Sequence, residues 1–119
     1  MRAIVIEPGK KAEAREIENS LVEYQGLVDG WTETTYPFND DVCVICNDEG
    51  KLIGLEPNVK INGTVYVGTI VIVGLTAHGT DFGDLSEEQK RRYLEMFKNP
   101  KKPTTEDVER DSYMYVYKF

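Results

Sequence analysis

Two apolar stretches constrain this chain more than any other feature: residues 42–46, VCVIC, and residues 65–73, VYVGTIVIV. β-branched and aromatic side chains fill both, which favours extended backbone over helix. They bracket a stretch that reads as a loop, with the pattern Gly54-Leu55-x-x-Asn58. Everything before and after reads as scaffolding that covers these strands. A chain of 119 residues, 40% hydrophobic and 29% charged, suits one globular domain with a modest core and no disulfide staples. No apolar stretch approaches the roughly 20 residues that cross a bilayer. The opening MRAIVIEPGK holds only four consecutive apolar residues, too few for a signal-peptide core. A cytoplasmic location is therefore expected.

In chain order, residues 3–6 predict a first strand ended by Pro8-Gly9, and residues 12–17 predict a short edge strand returning beside it. Ser20-Leu21-Val22-Glu23 has the form of a capping box, and Leu21, Tyr24, Leu27 and Val28 recur at helical spacing. A helix over residues 21–29 follows, with Gly30 as its left-handed cap and Gly26 weakening it by about 1 kcal/mol relative to Ala. Residues 31–36, WTETTY, predict another strand, closed by Pro37. Asn47-Asp48-Glu49-Gly50 and Asn62-Gly63 are turn signals, and Gly68 marks a bulge or a close backbone approach within the long strand. Ser86-x-x-Gln89 begins a second helix striped by Tyr93, Leu94 and Phe97 and stopped by Pro100 and Pro103. Tyr113, Tyr115, Tyr117 and Phe119 alternate with smaller or polar neighbours, which predicts a C-terminal strand with an aromatic face. The sum is one α+β domain: a mostly antiparallel sheet of about five to seven strands covered by two helices. Its exposed strand edges, the C-terminal one above all, predict a homo-oligomer.

Several residue sets invite chemistry. Cys43-Val44-Ile45-Cys46 has C-x-x-C spacing, but three residues of strand span about 10 Å, too far for a disulfide. Zinc would need a second ligand pair, and His78 is the sole histidine. These cysteines are expected to be buried strand residues, with no metal and no cofactor. His78 with Asp81 or Asp84 is the one arrangement resembling an acid–base set. The segment between the long strands offers more. Asn47 and Asn58 supply donors and acceptors, and Gly54-Leu55 leaves bare backbone. Lys60 adds positive charge, and Trp31, Tyr36 and Phe38 add flat surfaces for stacking. Together they predict a pocket for a small, nucleotide-like anion. The net charge of −7 argues against direct binding of nucleic acid along the surface.

The chain also resembles the small domains catalogued as DUF3846, found largely in phages, plasmids and their bacterial hosts. The ordered set is Ala3-Ile4-Val5-Ile6-Glu7-Pro8-Gly9-Lys10, Tyr36-Pro37-Phe38, Cys46-Asn47-Asp48-Glu49-Gly50-Lys51-Leu52, Gly54-Leu55-x-x-Asn58 and Gly68-Thr69-x-x-Ile72-Val73-Gly74. The family pattern often has Arg after the loop Asn, where Val59 stands here. The resemblance implies a domain over residues 1–103 with a C-terminal extension, 104–119, outside it. It implies no reaction. Its phage and plasmid setting implies an accessory or counter-defence protein in the host cytoplasm. Three functions are expected in turn: a non-enzymatic binder of a nucleotide-like ligand, an acidic protein-protein inhibitor of a host factor, resembling nucleic acid in charge and with a host defence protein as a candidate partner, and a small hydrolase using His78.

Overall fold

The computed structural model describes residues 1–76, 79 and 81–116. The elements in order are β1 (Arg2–Ile6), β2 (Glu13–Glu16), α1 (Leu21–Val28), β3 (Thr32–Thr35), β4 (Val42–Asn47), β5 (Pro57–Ile61) and β6 (Thr64–Val67). They continue as β7 (Ile70–Leu75), β8 (Phe82–Gly83), α2 (Glu87–Met96) and α3 (Thr105–Val116). The main sheet is antiparallel, ordered β2-β1-β7-β4-β3, with β8 pairing β7 through Gly74 and Leu75. The strands β5 and β6 form a separate hairpin. This is an α+β domain with a mostly antiparallel sheet of six strands.

The central strands are apolar without interruption because both faces of the sheet are covered. One face presents Ala3, Val5, Cys43, Ile45, Val71 and Val73 to Tyr24 and Val28 of α1. The other presents Ile4, Ile6, Val44, Ile70 and Ile72 to Tyr93 of α2 and to Val59, Ile61 and Tyr66 of the hairpin. The layers are thus α1, the sheet, and then α2 beside the hairpin.

Local chemistry sets the boundaries. In α1, Ser20 Oγ accepts from the Glu23 amide at 3.2 Å, but the Glu23 carboxylate takes the Glu18 amide rather than closing the box on Ser20. The helix ends with Asp29 in the left-handed region at φ 61°, one residue before the glycine expected there. In α2 both arms of the Ser86–Gln89 box form, each at 3.0 Å.

Three expectations need correction. The apolar stretch 65–73 is not one strand but two, broken at Gly68, whose φ of +71° turns the chain out of the hairpin and into the main sheet. A Cβ there would stand 2.7 Å from Leu55 Cδ1, so only glycine fits this corner without strain. The segment taken as a loop contains β5, paired to β6 across a two-residue Asn62-Gly63 turn with both φ angles positive. Finally, the residues expected to form a C-terminal aromatic strand begin as helix α3, described through Val116, while Tyr117 and Phe119 lie outside the described residues. Among the described residues, β2 and β3 end the strand order, and the two-residue β8 pairs only with β7.

Candidate functional site

The segment between β4 and β5 folds as a pair of backbone anchors joined by an exposed turn. Asn47 is buried at the end of β4, and its Nδ2 donates to the carbonyls of Val28 and Asp29, both at 3.1 Å. Its Oδ1 accepts from the Glu49 amide at 2.8 Å. One side chain thereby satisfies the last carbonyls of α1 and starts the following turn. Asn58 is 2% exposed. Its Nδ2 donates to Ile6 and Gly68 carbonyls, both at 2.8 Å, fastening the end of β1 to the β6–β7 corner. Gly54 stands on the open turn at φ +73° with nothing near a Cβ position, and Leu55 folds back over Gly68. The two amides thus face the main chain, not a shared hollow. Trp31 and Tyr36 flank β3 and are largely exposed. Trp31 borders a shallow depression with Gln25, Gly26 and Gly30.

Two of the expected residues do meet. Phe38 and Lys60 line one groove of about 690 Å³ between the hairpin, the C-terminal end of α2 and the start of α3. Its apolar side is Phe38, Val59, Ile61 and Phe97. Phe38 is fixed by ring contacts to Tyr93 (centroids 4.8 Å apart) and Phe97 (6.3 Å). Its polar side carries Lys60, Lys101 and Lys102, with Asn62 and Asn99 between. Lys102 pairs with Glu56. The Asn62 amide donates to the Pro37 carbonyl, which ties the hairpin turn to the segment bearing Phe38. Asp107 of α3, 3.8 Å from Arg110 Nη1, also lines the groove. Its carboxylate accepts from the Thr104 amide and hydroxyl at 2.9 and 3.0 Å. Those bonds, with Lys60 and Arg110 nearby, hold it below the usual carboxylate range.

Sequence reasoning missed Lys101, Lys102, Asn62, Phe97 and Asp107 as parts of this groove. Lys101-Lys102 between two prolines was a visible signal, since it concentrates charge in an extended segment of an acidic chain.

The groove's floor depends on a polar clamp. Asp40 accepts from Tyr93 Oη at 2.6 Å, Arg92 Nη1 at 2.7 Å, Gln89 Nε2 at 3.1 Å and the Asp41 amide at 2.8 Å. Desolvation would raise the Asp40 carboxyl, but these hydrogen bonds, with the charge of Arg92, outweigh it and hold the group below its ordinary value of 3.8. Burial, then the bond to Asp40, pushes Tyr93 up to about 12. The clamp is structural: it pins α2 beside Phe38.

Cys43 and Cys46 are free and buried, and they belong to the clusters on opposite faces of the sheet. Burial pushes their thiols up to about 11 and about 12, so they are poor nucleophiles and poor metal ligands in this state. Asp84 accepts from the Arg2 amide, and Asp81 closes a turn with Thr76, while His78 lies outside the described residues. Among the described residues, no three His, Cys, Asp or Glu side chains gather as a metal site. No helix among them is long and apolar enough to cross a membrane.

Sheet order, hairpin and helices define a small α+β domain whose antiparallel sheet is buried on both faces. The chain belongs to the family described as Domain of unknown function (DUF3846), whose model matches residues 1–98. The match ends just after α2 and leaves α3 outside it. No curated protein and no solved structure matches the chain.

Proposed function

We propose that this chain is a non-enzymatic binding protein that takes a small, nucleotide-like anion in the groove between the hairpin and α2. One observation carries the reading: in a chain of net charge −7, three lysines collect on the rim of a single groove whose floor is aromatic. Phosphate groups would meet Lys60, Lys101 and Lys102, and a planar ring would lie against Phe38 and Phe97. Lys60 and Lys101 make no ion pair among the described residues, although the Asp107 carboxylate lies near enough to Lys60 to feel its charge.

The test is a thermal-shift and titration panel of mononucleotides, dinucleotides and cyclic nucleotides. A ligand at tenfold its Kd adds about 1.4 kcal/mol to stability. For a domain of this size that raises Tm by roughly 5 °C. The triple variant Lys60→Gln, Lys101→Gln, Lys102→Gln should abolish the rise while melting normally without ligand. A rise that survives the triple substitution would move the site elsewhere.

A second reading, an acidic inhibitor of a basic protein, draws on the exposed apolar Trp31, Leu52 and Ile53 beside Asp48 and Glu49. Flat melting curves across the whole panel, with salt-sensitive binding to a purified basic partner, would shift the conclusion to it.

A further inference from the structure

The helix α3 lies beyond the part of the chain that the family shares, yet it sits at the mouth of the groove. Among the described residues, both hydrophobic clusters are built from positions up to Phe97 and none beyond. Of the described α3 side chains, only Asp107 and Val108 are even half-buried. Within the helix, Thr104 and Asp107 cap each other and Arg110 pairs with Glu106 at 3.1 Å. The connection from Asn99 to Thr104 contains Pro100 and Pro103 and no helix or strand. A segment that joins the domain through an irregular connection, with its described side chains at residues 105–110 at most half-buried, opens at lower cost than the core. What it presents to the lysine rim is a carboxylate, the same charge that a phosphate would bring.

We propose that α3 is a tethered competitor for the groove: Asp107 stands where the anion's charge would stand, and the ligand binds fully only when α3 lifts. This rests on the binding reading above and adds its regulation. The position of α3 then sets the apparent affinity, because only the open fraction of molecules is competent. Anything that draws α3 away, such as a partner that takes up this helix, would load the groove.

The experiment uses the full chain and two variants, Asp107→Ala and Lys60→Glu, with ADP as probe. Calorimetric titration should show ADP binding roughly fivefold or more tighter to Asp107→Ala than to the unaltered chain, at the lower end of ordinary coupling between sites. Hydrogen exchange of the amides of residues 105–116 should quicken on adding ADP, and should be fast in Lys60→Glu even without it. Equal ADP affinity for the unaltered chain and Asp107→Ala would overturn the competitor and leave the binding reading intact. Absence of ADP binding in both would overturn both. Exchange in α3 that is unchanged in Lys60→Glu would show that the helix is not held by the rim, and would also overturn the competitor.

Discussion

Asn58 and Asp40 show how single polar side chains organise a small interior. Asn58 is buried against two carbonyls that have no water to turn to, so its loss leaves both unmet. Asn58→Ala is expected to destabilise the fold by about 2–4 kcal/mol. Urea denaturation should show this as a lower midpoint with an unchanged slope. Asp40 predicts a pH dependence. Its carboxyl is held below its ordinary value in the folded chain, so its contribution is present above that value and fades as pH falls through the lower folded value. Melting temperature should therefore drop below about pH 4. Asp40→Asn should be weaker by about 2 kcal/mol at neutral pH and lack that part of the acid decline, because a neutral amide cannot titrate and accepts less well from Tyr93 and Arg92. Asn47 and Asn58 were recognisable in the sequence as unusual polar residues near apolar strands. Which way they faced was not, since an amide that anchors a carbonyl and one that greets a ligand have the same composition and spacing.

At the scale of elements, the corner at Gly68 decides the architecture. Gly68→Ala must place a Cβ 2.7 Å from Leu55 Cδ1 and hold alanine at φ +71°. A loss of about 2 kcal/mol is expected, measured by thermal or urea unfolding. The β-strand content by circular dichroism should stay unchanged. The sequence made β4, β7 and α2 plain, because an uninterrupted β-branched run and a complete capping box are local signals. It hid the break between β6 and β7, since both halves are apolar and only the dihedral angle of one glycine separates them. It also hid β5, whose charged Lys60 and initial Pro57 look like loop chemistry until the hairpin pairs them with β6. The tail misled for a different reason. Tyr113 to Tyr117 alternates with period two, but Thr104-x-x-Asp107 is a capping signal just upstream, and Glu106 meets Arg110 at helical spacing. The start of the helix outweighed the alternation that followed it.

For the whole molecule, the partition into a shared domain and an added helix carries a prediction of its own. Both hydrophobic clusters close within residues up to Phe97 among the described residues. A chain ended after Thr104 should therefore still unfold in one cooperative step and lose no more than about 1 kcal/mol, as read by calorimetry. A broad, non-cooperative melt would mean that α3 belongs to the core. The general plan, an antiparallel sheet with helical cover, could be inferred before any coordinates, because buried strands announce themselves by composition. The groove could not, since its lysines come from two separate stretches of chain, around Lys60 and at Lys101-Lys102, that only the third dimension assembles.

The bonds from Asn58 have a mechanical consequence as well. They rivet the hairpin to the ends of β1 and β7, so that wall cannot swing without breaking contacts in a dry interior. The other side of the groove is shared by the end of α2 and the start of α3. On the proposal above, the cleft is a jaw with one half fixed, and whatever draws α3 away from outside sets how wide it gapes.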